Sequence, residues 1–386
     1  MIHFITGVDF FKQAIKKDIN FLAWVMTPWH VVSMDSSIKY LTSIGVNIQG
    51  MVMIYPHPQT GYCVDESCFT CDCYEIYKPS VIQETVKEPS KSFLDRFVSA
   101  RYNHTLFYLY ILFGGYNFRN KQVVYTFAPA FPNTRWGYEM YKYGKHVKYV
   151  IGDEGVATYM FHEANPPHFF ESKYISKILS YFRNVIMAHK AACIFHNLVH
   201  CESLIKHNDN ITVNKKMMPH YKSVLSFLNK KNDIKYTSGS VIICSSIFDG
   251  SRQSLEEYNI ILKICEKISE AGIKIFLKTH PRDTEYKNHL RSLNCSLIEP
   301  QTLSIEGMLS NSSPICIIGF SSTALVSSSI FYSIQTISLS HLIPSDCLTA
   351  ESQRDIEYYK KIFNNIVLFP KSINDCINII KNICEQ

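Results

Sequence analysis

The chain has 386 residues, of which 46% are hydrophobic and 19% charged, a globular composition in a chain too long for one typical core. Its formal net charge is +6 and its pI about 8.5. This mildly basic balance suits an anionic ligand or an anionic membrane surface, but it is too weak to indicate nucleic-acid binding. We therefore expect two domains and no nucleic-acid partner.

Strands and helices alternate along the first half of the chain. Residues 19–26 predict a strand that ends at Thr27 and Pro28, where a proline stops strand pairing and can open a helix. A helical segment at 36–45 and strands at 47–56, 122–130 and 146–155 follow. The apolar run 105–113 is shorter than the roughly 20 residues of a spanning helix, so we interpret it as a buried helix, with a membrane-touching helix as the alternative. The first 20 residues have neither a sustained apolar run nor a small-residue cleavage site, so we expect a protein without an export signal.

A second alternating unit follows a segment rich in Asn, Lys and Ser. Strands are predicted at 240–246, 273–281, 295–300 and 315–323, with an amphipathic helix at 251–272 whose proposed C-cap is Gly272. The alternation indicates parallel sheets covered by helices on both faces. The predicted organisation is an N-terminal Rossmann-like domain at 1–205, a connector at 206–240, a C-terminal Rossmann-like domain at 241–370 and a closing helix at 371–386.

The cysteines divide into two groups. Most are single residues in apolar runs, such as Cys193, Cys265 and Cys316, and behave as small buried hydrophobes of a reducing compartment. Four others cluster in one loop. Their CxxC step suggests zinc, but the CxC that follows and the lack of a second knuckle favour free loop cysteines. The clustered residues are Cys63, Cys68, Cys71 and Cys73.

Chemically active residues stand where predicted strands end. Asp153 and Glu154 lie side by side between two glycines, and His280 follows the strand at 273–281. Glu299 and the Ser321–Ser322–Thr323 triplet follow two further strands. Each has an ordinary explanation as a turn or a helix cap. Ligands of doubly wound α/β folds bind at the carboxyl ends of strands, however, so these residues are expected to gather in the cleft between the domains.

Together these residues predict transfer of a group from a nucleotide to an alcohol. Hydroxyls and N–H groups at a helix N-terminus after Gly319 suit a phosphate. His280, with Lys278 and Arg282 nearby, can stabilise a phosphate as it leaves. Glu299 can accept hydrogen bonds from ribose hydroxyls, and a carboxylate facing this site can take a proton from an attacking hydroxyl.

At these residues the sequence resembles the bacterial sialyltransferases that build capsules and lipooligosaccharides, including the capsule polysialyltransferases. That group is marked by an acid-acid-Gly motif, a His-Pro motif and a Ser-Ser/Thr motif in this order. Here the motifs are Asp153–Glu154–Gly155, His280–Pro281 and Ser321–Ser322–Thr323. The strand that ends in Thr27 is also similar to the family's first strand. The resemblance covers roughly residues 21–326.

The resemblance implies an α/β fold of GT-B architecture, with two Rossmann-like doubly wound domains and the active site in the cleft between them. It implies a metal-independent, inverting transfer from CMP-sialic acid, without a further cofactor. One acid of the pair is then the base, with Asp153 favoured and Glu154 left open, and His280 stabilises the leaving phosphate. Glu306 competes with Glu299 for the ribose. The positions carried over are Pro281, Glu299, Gly319, Ser321, Ser322 and Thr323 for donor binding, and Thr27 and Gly155 on the acceptor side.

Several alternatives stay open. The acceptor is expected to be a surface glycan, capsule, lipooligosaccharide or O-antigen, whose lipid link would bring a cytoplasmic enzyme into peripheral contact with the inner face of the membrane. The basic connector could follow an anionic acceptor, although a solvated loop is the favoured interpretation. The rival functions are a GT-B transferase using CMP-Kdo or a UDP-sugar, a non-enzymatic two-domain binding protein, and a zinc-dependent interaction module.

Overall fold

A computed structural model gives the fold. It describes residues 2–5, 10, 13–14, 16–17, 19–54, 63–79, 124–129, 147–152, 211–232, 239–280, 283, 295–299, 304–309 and 312–385. These residues form two compact units. The first contains the described residues up to Gly152 and from Ile211 to Val224, and the second contains those from Leu225 onward.

The first unit contains a six-stranded parallel sheet. Its strands are β1 (Ile2–Ile5), β2 (Phe21–Val25), β3 (Gly50–Ile54), β4 (Tyr74–Pro79), β5 (Val124–Pro129) and β6 (Val147–Gly152). Their order across the sheet is β1-β4-β3-β2-β5-β6. All five pairings are parallel, with Pro129 opposite Gly152 in the last of them. The chain order reverses between β2 and β5, which makes this point the topological switch of a doubly wound sheet.

The second unit contains a five-stranded parallel sheet. Its strands are β7 (Ser240–Cys244), β8 (Lys274–Lys278), β9 (Ser296–Leu297), β10 (Cys316–Gly319) and β11 (Gln335–Ser338). The order is β11-β10-β7-β8-β9, so the switch point falls between β7 and β10. The strands predicted between residues 240 and 323 are confirmed. Strands β1, β4 and β11 were not predicted.

Helices cover these sheets. They are α1 (Pro28–Ser43), α2 (Ile211–Asn232), α3 (Arg252–Glu270), α4 (Ile305–Met308), α5 (Thr323–Tyr332), α6 (Ala350–Phe363) and α7 (Ile373–Cys384). The predicted closing helix is therefore present, and the domain boundaries given above remain predictions. Three short 3₁₀ turns lie at Glu66–Cys68, Ser340–Leu342 and Ser345–Cys347.

The core of the second unit forms as the apolar pattern predicts. Val241 and Ile243 on one face of β7 pack with Ile261 and Cys265 of α3, and all four are buried. The opposite face of β7 is buried as well, as is usual for a parallel sheet covered on both sides. Helix α3 ends at its C-cap Ala271, so the predicted cap Gly272 lies one position beyond the observed one, with the positive φ of 71° that glycine tolerates.

The buried cysteines agree with the sequence interpretation. Cys265 is 3% exposed, and Cys316 is fully buried in β10. Both pack among aliphatic side chains of the second unit. Cys193 lies outside the described residues. The single cysteines at these two described positions therefore act as small hydrophobic side chains.

The predicted connector contains a helix rather than a solvated loop. Residues 211–232 form α2, which buries Met217, Tyr221 and Val224. The Tyr221 hydroxyl lies 2.6 Å from Ser33 Oγ of α1. The sequence interpretation failed here because the many Asn and Lys residues obscured this apolar stripe. The boundary between the two units falls within α2, inside the predicted connector.

The hydropathy of the described helices was compared with that of a membrane-spanning helix. None of the helices within the described ranges is both long and apolar enough to cross a membrane. The apolar run at residues 105–113, the sequence candidate for a buried or membrane-touching helix, lies outside the described residues.

A buried histidine gives the first unit a calculable pH dependence. His30 of α1 is 1% exposed, and its Nδ1 accepts a hydrogen bond of 3.2 Å from Met26 N. Burial lowers the pKa of His30 from its ordinary 6.5 to about 3, so the folded state keeps the ring neutral. Below pH 6.5 the unfolded state binds a proton that the folded state does not. The contribution of His30 to the free energy of unfolding therefore decreases as the pH falls, by about 1.4 kcal/mol per unit.

We expect thermal denaturation followed by circular dichroism between pH 6.5 and 5 to give a slope of unfolding free energy against pH that is more positive in the wild type than in His30→Asn, by about 1.4 kcal/mol per unit. Asp35 contributes with the opposite sign, because burial raises its pKa to about 6 and its stabilising effect is lost as the pH rises toward 6. The comparison of slopes between variants isolates His30. The exposed His3 provides the control, since His3→Asn should keep the wild-type slope. An equally steep slope in His30→Asn would contradict the assignment.

Candidate functional site

The carboxyl end of β8 carries the predicted His-Pro turn. His280 is partly exposed, and its carbonyl oxygen accepts a hydrogen bond of 2.9 Å from Asp283 N. The buried Asp283 carboxylate in turn accepts from Phe248 N at 3.2 Å. Asp283 therefore joins the His280 turn to the loop that follows β7. Pro281 and Arg282 lie outside the described residues.

Lys278 lies at the last position of β8, two residues before His280. It is 6% exposed, and its Nζ donates to Thr279 O at 3.1 Å. Burial lowers the pKa of Lys278 to about 8, while the charges of Cys244, Glu306 and Glu299 act in the opposite direction. The site thus has a desolvated ammonium group two residues before His280, where its field is less screened than in water.

The serine triplet follows β10 and opens α5. Ser322 is the N-cap, and its Oγ accepts from Ala324 N at 3.2 Å, while its carbonyl accepts from Tyr359 Oη at 3.0 Å. Ser321 is exposed directly before it, and Thr323 is the first residue of the helix. Helix α5 therefore presents hydroxyls and the positive end of its dipole at the carboxyl edge of the sheet.

Gly319 ends β10 at a close approach between two strands. A Cβ added there would lie 3.2 Å from Cys244 O and 3.4 Å from Cys244 Cβ of β7. The first distance is tighter than ordinary van der Waals contact. This packing is a structural reason for glycine at a position that the resemblance assigns to the donor site, because it allows the ends of β7 and β10 to approach.

The two candidate ribose acids occupy different environments. Glu299 is exposed just after β9. Glu306 of α4 is 5% exposed, and its carboxylate accepts a hydrogen bond of 2.6 Å from Ser327 Oγ of α5. Burial raises the pKa of Glu306, and the hydrogen bond from Ser327 opposes that shift. The exposure of Glu299 therefore favours it for contact with a ligand. Glu306 is buried and links α4 to α5 through Ser327.

A cavity of about 230 Å³ opens at the switch point between β7 and β10. It lies beside Ser321 and is bounded by the loop after β7, the first turns of α3 and the segment after β11. Glu257 of α3, which is 5% exposed, is one of its walls. The sequence offered no signal for Glu257, because a single acid in a helix of mixed polarity has the pattern of a solvated face. The lining residues are Ser246, Ile247, Asp249, Ser251, Gln253, Ser254, Glu257, Phe320, Ser321, Ser340, Ile343 and Ile356.

In the first unit, Thr27 Oγ1 accepts from His30 N at 3.3 Å and caps α1. Pro28 occupies the first turn, so the prediction that this proline opens a helix is confirmed. Strand β6 ends at Gly152, at the carboxyl edge of the sheet. The acid pair and its second glycine come next in sequence, and Asp153, Glu154 and Gly155 lie outside the described residues.

The cysteine loop does not form a metal site. No group of three or more His, Cys, Asp and Glu side chains in the described part of the chain, which includes all four loop cysteines, is arranged to hold a metal ion. The four cysteines are free and pack against the apolar core beside α1. The zinc interpretation therefore has no support in the described residues.

A buried carboxylate holds this loop in place. Asp35 Oδ2 of α1 accepts hydrogen bonds from Thr70 N at 2.7 Å and Thr70 Oγ1 at 2.8 Å. Its Oδ1 accepts from Tyr74 Oη at 2.8 Å. Three donors on one carboxylate offset the cost of burying it. Sequence reasoning missed Asp35, because its partners lie 35 and 39 positions away.

The fold and the second-unit site together define a class of protein. Two doubly wound parallel units, the second with a histidine turn and a serine-capped helix at its strand ends, make this an α/β protein of the GT-B class. The UDP-GlcNAc 2-epimerase of Methanocaldococcus jannaschii has a similar fold, with a TM-score of 0.52 and 11% identity over 95% of this chain and 92% of that chain.

The family follows from the sequence. The family model described as Alpha-2,8-polysialyltransferase matches residues 80–341, more than half of the chain. The chain belongs to the alpha-2,8-polysialyltransferase family. It is a glycosyltransferase of sialyltransferase type, so the resemblance to bacterial sialyltransferases is confirmed and the non-enzymatic alternative is wrong. None of the curated proteins matches it.

Two solved bacterial sialyltransferases are also similar to this chain. The alpha/beta-galactoside alpha-2,3-sialyltransferase of Photobacterium phosphoreum is 12% identical, with a TM-score of 0.48 over 92% of this chain and 98% of that chain. The GT-B domain of the sialyltransferase of Photobacterium damselae is 11% identical, with a TM-score of 0.41 over 90% of this chain and 99% of that chain.

Proposed function

We propose that this protein transfers sialic acid from CMP-sialic acid to a hydroxyl of a bacterial surface glycan, by an inverting reaction that needs no metal ion. The observation that carries the proposal is the carboxyl edge of the second sheet. His280 follows β8 and Ser321 follows β10, and both strands are neighbours of β7. Neighbouring strands lie about 5 Å apart, so both side chains can reach a phosphate above the end of β7.

The charges of this edge suit a leaving phosphate. Lys278 supplies a partly desolvated positive charge two residues before His280, and the N-terminus of α5 supplies N–H groups and hydroxyls from the other side. In the proposed step, Asp153 or Glu154 takes the proton of the acceptor hydroxyl, whose oxygen forms the new bond to the anomeric carbon. The bond from that carbon to the CMP phosphate breaks, and its electron pair leaves with the phosphate, which His280 and the serines stabilise.

The finer parts of the proposal concern substrates and location. The family supports a nucleotide-sugar donor and a glycan acceptor. A capsule, lipooligosaccharide or O-antigen acceptor is our proposal. A lipid-linked acceptor of this kind would bring a cytoplasmic enzyme into peripheral contact with the inner face of the membrane. Glu299, exposed beside β9, is the proposed contact of the cytidine ribose.

The test is release of nucleotide from a donor panel of CMP-sialic acid, CMP-Kdo and UDP-sugars, with and without EDTA. We expect CMP release from CMP-sialic acid alone, at a rate that EDTA leaves unchanged. CMP should also raise the melting temperature without added metal, because a ligand at 100 times its Kd stabilises the folded state by about 2.7 kcal/mol. UMP is the matched control and should stabilise less. Turnover with a UDP-sugar only would contradict the proposal.

A further inference from the structure

The cavity at the β7–β10 switch point differs in charge from a phosphate site. Two carboxylates line it, Asp249 and Glu257, and none of its lining residues in the described part of the chain is Lys, Arg or His. The start of α3 is capped by its own side chains, since Ser251 Oγ accepts from Ser254 N at 3.2 Å and Asp249 Oδ1 accepts from Ser251 N at 2.9 Å. An anionic ligand is therefore disfavoured in this cavity.

Glu257 has hydrogen-bonding capacity left for a ligand. Its carboxylate accepts from Gln253 Nε2 at 2.9 Å and from the Ser246 hydroxyl. An ionised carboxylate can accept about four hydrogen bonds, and these two leave the others for groups in the cavity. Burial raises the pKa of Glu257, which is the electrostatic cost of keeping a carboxylate in this wall. A ligand that donates hydrogen bonds would reduce that cost.

The remaining walls combine hydroxyls with apolar surface. Ser321 and Ser340 contribute hydroxyl groups, and Phe320 and Ile343 contribute carbon surface. Ser340 is held by a contact of 2.9 Å between its Oγ and Ser338 Oγ. Carboxylate and hydroxyl acceptors beside apolar walls match a sugar, whose hydroxyls donate hydrogen bonds and whose C–H faces pack on carbon.

We propose that this cavity binds the uncharged, hydroxyl-bearing part of a sugar substrate, with Glu257 accepting hydrogen bonds from its hydroxyl groups. This inference rests on the proposed function, because Ser321 is shared with the proposed phosphate site and brings a sugar attached to that phosphate to the cavity mouth. The sugar has two possible sources of the same chemistry, the transferred sialic acid of the donor and the terminal sugar of the acceptor.

The experiment is a comparison of the wild type with Glu257→Gln, which keeps the size of the side chain and removes its charge. Steady-state rates of CMP release would be measured with intact CMP-sialic acid and with a CMP-sialic acid made from a sialic acid whose glycerol side chain was shortened before the CMP was attached, so that the ribose diol stays intact. We expect Glu257→Gln to lower kcat/KM for the intact substrate by roughly 10-fold or more, since hydrogen bonds to charged groups contribute most. If the cavity holds the donor sugar, the variant should also lose the preference for the intact donor; if it holds the acceptor sugar, that preference should persist.

The KM that rises in Glu257→Gln shows whether the donor sugar or the acceptor sugar occupies the cavity. A higher KM for CMP-sialic acid assigns the cavity to the donor sugar, and a higher KM for the acceptor assigns it to the acceptor. Ser246→Ala removes a hydrogen-bond donor to Glu257 and should raise the same KM by a smaller factor. This variant replaces Glu257→Gln in the experiment if Glu257→Gln does not fold. The control is Glu256→Gln, one position away on α3 and outside the cavity lining, which should behave as the wild type.

Two results would overturn the inference. The first is a folded Glu257→Gln enzyme with unchanged KM values and unchanged preference for the intact donor. The second is loss of the thermal shift by CMP in Glu257→Gln alone, since the cavity would then contact the nucleotide. Loss of that shift in the wild type as well would instead contradict the proposed function, so the two failures are distinguishable.

Discussion

Replacing His280 with alanine is expected to lower the rate of sialyl transfer by a factor on the order of 100 or more while the fold survives. His280 follows the carboxyl end of β8, two residues after the buried Lys278, and its imidazole can hydrogen-bond the phosphate as negative charge develops on it. Its backbone is held by Asp283, so the substitution should remove the ring without releasing the turn. The measurement is the initial rate of CMP release at saturating donor.

The decrease should be in kcat more than in KM, because the contact strengthens in the transition state. The exposed His3 of β1 supplies the control, and His3→Ala should retain the wild-type rate. A His280→Ala enzyme within about threefold of wild-type kcat would remove this residue from the mechanism.

The second large effect concerns the acid pair after β6. We expect one of the two variants Asp153→Asn and Glu154→Gln to lose a factor of about 100 to 10,000 in kcat, the range of general-base catalysis. The other should lose much less. Strand β6 ends at Gly152 on the carboxyl edge of the first sheet, the edge at which doubly wound units bind their ligands.

A pH profile of the rate separates the base from a neighbouring acid. The enzyme that retains its base should lose activity at low pH as the carboxylate becomes protonated, whereas the variant lacking the base should have lost this limb of the profile. Near wild-type rates in both single variants would show that the acid-acid-Gly motif was wrongly assigned.

Sequence patterns predicted much of the second sheet because its strands are short β-branched runs separated by a strongly amphipathic helix. Strand β4 was missed, since it directly follows a cysteine cluster that was interpreted as a loop, and its own residues mix polar and apolar types. The order of strands across a sheet depends on pairing between distant segments. It could not be predicted here, because the doubly wound rule requires every strand to be recognised first.

The sequence also located candidate residues at strand ends without revealing their surroundings. Glu299 and Glu306 are close in sequence and of one residue type, yet the first is exposed and the second is buried against Ser327. Burial depends on contacts with helix α5, which no local pattern encodes. Glu257 and Asp35 were missed for the same reason, because their environments are created by distant segments of the chain.

The Asp35 carboxylate has a consequence for how the cysteine loop could be altered. The loop leads directly into β4, which pairs with both β1 and β3. Thr70 and Tyr74 donate hydrogen bonds to Asp35 of α1, the helix that Thr27 caps. The segment is therefore a crossover of the sheet and not an appended module. Excising it or transplanting it to another scaffold would separate two strand ladders from the helix that supports them.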